Sequence, residues 1–280
     1  MRLGFGFSIS RRSFPLGSVA ELLLDLYPGA AGAYSLRKIR GAYSGSAIRV
    51  RESSGNTEAD IGFDSNGDLD TTALLAHTGS NDGLVVTWYD QSGNGNDATQ
   101  ATSTEQPRIV SAGAVLLQNG TPIIDFDGVD DFLDTVFATS IVQPGTIFTA
   151  STSTNVNSDL HFFIASRISG ARWQLWVSSN SAEPKIFSGA VLSSGINLTD
   201  DQQFLASIVF NGVNSKLNID GTQVATGDAG TNNLDGFSIG QDPNGNSGNQ
   251  MSQEVIIYPS DQSSNRADIE TNINNYYGAF

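Results

Sequence analysis

The sequence predicts an all-β protein, a β-sandwich with short flanking helices and an N-terminal arm. Two observations carry this. From about residue 47 to residue 258 the chain is a succession of short runs rich in Val, Ile, Phe, Thr and Tyr, many of them alternating apolar with polar residues. Clusters of Gly, Asn, Asp and Ser separate these runs at the spacing of turns between antiparallel strands. A chain of 280 residues without cysteine must hold itself by packing alone. A length of this order buries about three quarters of the unfolded surface, which is enough to do so.

The elements come in order along the chain. Residues 1–29 read as an arm and a short helix, and residues 30–280 as the sandwich with a closing helix. In the arm, Gly4, Gly6, Pro15 and Gly17 break regular structure. Arg2, Phe5, Phe7, Arg11, Arg12 and Phe14 give it anchoring groups that need a surface to pack on. Ser18 and Glu21 have the spacing of a capping box, and Val19, Leu22, Leu23 and Leu26 form one stripe before Pro28-Gly29 stops the helix. Leu36, Ile39 and Tyr43 fall at helical spacing and predict a second short helix. The strand runs begin at "AIRVRES" and end at "QEVIIYP". Between them, Asp220-Gly221 links two alternating runs and predicts a type I′ hairpin, whose central residues both take positive φ. Ile269, Ile273, Tyr276 and Tyr277 predict the C-terminal helix, with Gly278 at its end.

Charge narrows the function. The net charge is -15, yet residues 1–51 hold eight basic residues against Glu21 and Asp25. An acidic body repels nucleic acid. The basic N-terminal part suits an acidic partner, a sibling subunit in a homo-oligomer, or internal pairing with the body. The start of the chain has no sustained apolar run, and "AELLLDLY" is too short and too charged to span a bilayer, so no membrane insertion is expected.

Three stretches resemble concanavalin-like (laminin-G-like) jelly rolls: "IDFDGVDDFL", the run from "FLASIVFNG" through "NIDGTQVATGDAG" to "FSIGQ", and "QEVIIYPSDQSSNRADIETNINNYYG". The last is similar to the tails of bacteriophage structural proteins and of bacterial surface proteins. "YDQSGNGN", "AYSLRKIRGAYSGSAIRVRESSGN" and "IGQDPNGNSG" followed by "VIIYPSD" resemble the catalytic domain of the α-L-arabinofuranosidase B family. That family hydrolyses glycosides with retention, which requires two carboxylates. The resemblance places the acid/base on Asp242 and the nucleophile at Ser179, which cannot replace a carboxylate; Glu183 is the nearest acid and precedes Pro184. The expectation is therefore that the chemistry is absent and the chain is not an enzyme.

Taken together, these features lead to the expectation of a non-enzymatic bacteriophage virion subunit: a capsid decoration, fibre or tail protein, made in the host cytoplasm and anchored by its arm to other virion proteins. Host-surface glycan binding would be its secondary role, through Trp88, Tyr89, Asp90, Asn94, Trp176, Asp242 and Asn244. Asp90 has two readings, a sugar acceptor or the cap of its own Gly/Asn turn. The alternatives are a glycoside hydrolase of arabinofuranosidase type with a relocated nucleophile, and a bacterial carbohydrate-binding adhesin module. No cofactor is expected. The loops "DSNGDLD" and "DPNGN" alternate oxygen-bearing residues as calcium loops do, but neither completes the twelve-residue spacing.

Overall fold

The computed structural model describes residues 21–156, 159–166, 170 and 172–280. The arm with its arginines and phenylalanines, and Ser18 of the capping box, lie outside them. Among the described residues the fold is the expected all-β sandwich. Three long strands form its centre: Gly145–Ser153, Gln203–Phe210 and Asn249–Tyr258. Gly145–Ser153 lies between the other two and pairs antiparallel with both. The ladder continues through Ile124–Asp127, Arg108–Ser111 and Gly83–Trp88, and reaches Leu133–Ile141 and Leu234–Ile239 at the far end. A smaller sheet joins His161–Ile164, Gln174–Val177, Lys185–Phe187 and Val191–Ser193.

The central strands are buried on both faces, and alternation explains how they serve two cores. Ile147, Ile208, Val255 and Ile257 face the main core with Trp88, Leu133 and Phe237. Phe148, Ala150, Leu205, Ile256 and Tyr258 face the opposite way, against the helices. There, helix α1 (Leu23–Leu26) contributes Leu23 and Leu24. A second helix, α2, spans Thr71–Thr78 and starts at Asp70, whose side chain accepts the Ala73 N–H at 2.9 Å. The C-terminal helix, α3 (Arg266–Tyr277), contributes Ile269, Ile273 and Tyr277 to the outer core and ends at Gly278 with φ 65°. No described helix is long and apolar enough to cross a membrane.

Two expectations about local structure meet opposite outcomes. The hairpin is as predicted: Asp220 and Gly221 have φ of 50° and 75°, and Ile219 pairs with Thr222. The helix expected over residues 33–43 is instead the strand Gly32–Ser35, paired with Glu254–Ile257, followed by loop. Leu36 and Ile39 are buried as the pattern implied, but one faces the main core and the other the helix layer. Tertiary pairing on a long edge outweighs a weak local helical preference.

Among the described residues, three of the basic residues of this part, Arg37, Arg49 and Arg51, pair within the chain. Arg37 bonds Glu254 at 2.9 Å in a buried ion pair, with Ser35 and Tyr277 donating to the same carboxylate. Arg49 makes two bonds to Asp60. Arg51 bonds Gln106, Asn56 and the Ser103 carbonyl.

Candidate functional site

One strand and its turn shape the opening of a cleft. In "IDFD", alternation sends Ile124 and Phe126 into the core and leaves Asp125 and Asp127 on the opposite face. Strand Ile124–Asp127 pairs on one side with Asn249–Ser252, where Asp127 faces Asn249, and on the other with Arg108. The next turn bends back. Asp127 Oδ1 accepts the Val129 N–H at 2.8 Å, and Asp131 Oδ2 accepts the Asp127 N–H at 3.2 Å.

The result is a tight group of acids. One carboxylate oxygen from each of Asp127, Asp130 and Asp131 lies within 4.8 Å of the others. Asp127 is exposed, while Asp131 is buried. Burial, reinforced by the negative charge of Asp127, pushes the Asp131 carboxyl up to about 7. Asp125 is also raised, by burial first, although Arg108 opposes the shift. Arg108 lies 3.7 Å from Asp82 on the rim.

Two cavities meet at Asp127. One, of about 420 Å³, is lined by Asp127, Asp159, Ser179, Ser247 and Asn249 among others. The second, of about 290 Å³, is lined by Asp82, Gln106, Arg108, Asp125, Asp127 and Asp131 among others. Two glycines make the walls fit. A Cβ on Gly128 would lie 2.7 Å from Asn249 Cβ. A Cβ on Gly240, whose φ is +89°, would lie 2.5 Å from the Asp131 carbonyl oxygen. The Ile-Gly pair that ends strand Leu234–Ile239 thus lets that strand pass against the Asp131 turn.

None of the carbohydrate-site residues proposed from sequence lines either of these cavities. Trp88 is fully buried beside Tyr34 and offers no face to a sugar. Tyr89 points outward, and its hydroxyl donates to Asp60 at 2.7 Å. Asp90 is buried and accepts from Ala33 N–H, Ser92 N–H, Ser92 Oγ and Asn96 N–H. Its carboxylate therefore holds the turn, the structural of its two readings. Asn94 donates to the Ala30 carbonyl and lines a different cavity. Trp176 is half-buried in the small sheet. Asp242 is buried, and its carboxylate accepts the backbone N–H groups of Asn244 and Asn246 and both their side-chain amides. It closes its own turn, and Asn244 is spent on that closure. Asp64 likewise accepts the N–H groups of Asn66 and Asp68, so both calcium-like loops are carboxylate-capped turns. Glu183 accepts the Gly195 N–H at 2.7 Å.

Ser179 does line the larger cavity. The position that the resemblance gives to the nucleophile therefore opens on a cleft that carries acids from elsewhere. Sequence reasoning treats "IDFDGVDDFL" as scaffold and misses Asp127, Asp131 and Asp159. A signal is present: Asp125, Asp127, Asp130 and Asp131 fall within seven residues.

No family model and no curated protein matches the chain. Solved structures do. A crystal structure of an arabinofuranosidase complexed with arabinofuranosyl-α-1,2-xylobiose superposes with TM-score 0.70 at 17% identity, over 87% of this chain and 62% of that one. A GH54 α-L-arabinofuranosidase soaked with a cyclic sulfate inhibitor gives TM-score 0.69 at 17% identity over the same shares. The sandwich is similar in fold to that of the GH54 arabinofuranosidases. The chain spans about 62% of the length of those enzymes. A Trypanosoma rangeli sialidase is a more distant neighbour, with TM-score 0.50 at 13% identity over 68% of this chain and 31% of that one. These neighbours overturn two expectations, the non-enzymatic virion subunit and the absence of an enzyme. The architecture shared is that of glycoside hydrolases, and none of these neighbours is a virion protein. The second expectation rested on a carboxylate pair at two inherited positions, whereas the cleft draws its acids from the 125–131 strand and turn.

Proposed function

We propose that the protein is a glycoside hydrolase of arabinofuranosidase type, working by double displacement with Asp127 as nucleophile and Asp131 as general acid and then base. One observation carries this: an exposed carboxylate and a buried carboxyl raised to about 7 stand within 4.8 Å of each other where two cavities meet. Retaining enzymes hold their two carboxyl groups about 5–5.5 Å apart, whereas inverting enzymes need roughly 6.5–9.5 Å to admit a water. An acid with a pKa near the working pH is best matched to giving and then retaking a proton.

In the first step Asp127 attacks the anomeric carbon, and the bond to the leaving oxygen breaks as Asp131 transfers its proton to that oxygen. A glycosyl ester on Asp127 results. In the second step Asp131, now ionised, takes a proton from water, the water oxygen bonds the anomeric carbon, and Asp127 is released. The proton removed from water restores Asp131. The neutral sugar is suited to a cleft where the one rim cation among the described residues, Arg108, is already beside Asp82.

The test is hydrolysis of 4-nitrophenyl α-L-arabinofuranoside by the purified chain and by Asp127→Asn and Asp131→Asn. Turnover that falls about 100-fold or more in each variant supports the assignment. Absence of turnover at high enzyme concentration, or full activity in Asp127→Asn, refutes it.

A further inference from the structure

The larger cavity contains an acid that the two-step reaction does not use. Asp159 stands just before strand His161–Ile164 and lines that cavity with Ser179, Ser247 and Asn249. Asn249 holds it: Asn249 Nδ2 donates to Asp159 Oδ2 at 2.8 Å. Asn249 is itself fixed on the other side, where its Oδ1 accepts from Thr154 Oγ1 at 2.9 Å and its backbone N–H donates to the Leu160 carbonyl at 2.8 Å. An amide whose oxygen accepts a hydroxyl proton must present its NH₂ the opposite way, so Thr154 sets the orientation of Asn249 and Asn249 sets that of Asp159.

Asn249 is also the strand partner of Asp127. One residue therefore joins the two: its backbone pairs with the strand of the proposed nucleophile, and its side chain holds a second carboxylate of the same cavity. We infer that Asp159, positioned by Asn249, is the residue that selects the sugar: it accepts hydroxyl protons of the glycon while the anomeric carbon faces Asp127. The inference rests on the hydrolase reading for the role of Asp127, but its binding half stands separately. A carboxylate has about four acceptor sites and, among the described residues, Asn249 occupies one, so capacity remains for a pair of adjacent sugar hydroxyls. Ser179 and Ser247 add donor and acceptor hydroxyls in the same cavity, whose volume falls within the range of about 300–1,000 Å³ typical of small-ligand sites. Sites built to bond a hydroxyl reject analogues that lack it, because a buried acceptor is then left unpaired.

The role differs from a catalytic one in what it changes. For 4-nitrophenyl α-L-arabinofuranoside, Asp159→Asn is expected to raise KM about 10-fold or more while kcat stays within a few-fold, the mark of binding lost equally from ground and transition states. Asn249→Ala is expected to raise KM in the same direction. The double variant should be no worse than Asp159→Asn alone, since both changes remove one interaction. Folding of each variant is checked by thermal unfolding. A fall in kcat at constant KM, an unchanged KM, or additive losses in the double variant overturns the inference. If the wild-type chain hydrolyses nothing, the hydrolase reading has failed. The binding half is then read by titrating L-arabinose, followed by protein NMR: shifts in the wild type that vanish in Asp159→Asn retain it, and no binding by the wild type overturns it as well.

Discussion

Replacing Asp131 by Asn should make the protein more stable and less active. The perturbation is small in shape, because an amide fills the space of a protonated carboxyl and its oxygen can still accept the Asp127 N–H. The charge effect is large. Asp131 titrates at about 7 in the folded chain against 3.8 for an unhindered Asp, a rise of roughly three pH units, each worth about 1.4 kcal/mol. A raised carboxyl favours the folded state fully below its unfolded pKa, and that contribution is lost as pH rises from about 3.8 through 7. Above pH 7 the folded wild type thus carries a cost of about 4 kcal/mol from ionising this group among Asp125, Asp127 and Asp130. Asn carries none. Urea unfolding at intervals from pH 4 to pH 8.5 reads the difference. The stability gap should be near zero at pH 4, widen steadily to pH 7 and stay flat above it, in favour of Asp131→Asn. Equal stability of the two proteins at pH 8, or a variant less stable than wild type there, would refute the idea that the cleft stores an acid against its intrinsic preference.

Other consequences arise from particular contacts. Asp90→Ala should destabilise the fold by about 3 kcal/mol in chemical denaturation, because it strips a buried acceptor from several donors, including the Ala33 N–H. Arg37→Met should cost about 3–5 kcal/mol by leaving Glu254 buried and unpaired, and adding Glu254→Gln should restore part of that loss in the same assay. Gly240→Ala should lower hydrolysis more than any change remote from the cleft, since its Cβ would push on the Asp131 carbonyl from a backbone already at φ +89°; unaltered kcat/KM would show that the turn tolerates displacement.

The sequence displayed what depends on local chemistry. Asp220-Gly221 announced its hairpin because few other pairs adopt two positive φ values, and Ile269, Ile273 and Gly278 announced a helix whose stripe and terminus are self-contained. Trp88 inside and Tyr89 outside accord with strand alternation. Residues 32–35 misled because what makes them a strand lies more than 200 residues away, at Glu254–Ile257. Helix α2 carried signals of its own, Asp70 at its start and Gly79 past its end. The cleft was the least legible part. That Asp127 meets Asn249, and through it Asp159, depends on strand register and a turn, and no spacing along the chain encodes it. A resemblance at Asp242 drew attention to a carboxylate that the fold uses to close its own loop.

If Asp127 is the nucleophile, it forms a covalent bond to the sugar, and covalent labelling reads that bond without intermediaries. The protein would be incubated with an arabinofuranose-configured cyclic sulfate, the class of inhibitor that the structurally similar GH54 enzyme has been soaked with. Intact-mass measurement and peptide mapping would locate the label. One adduct per chain is expected, on the peptide containing Asp127 and abolished by Asp127→Asn. An adduct on Asp159, Asp242 or another acid, with Asp127 unmodified, would contradict the double-displacement reading.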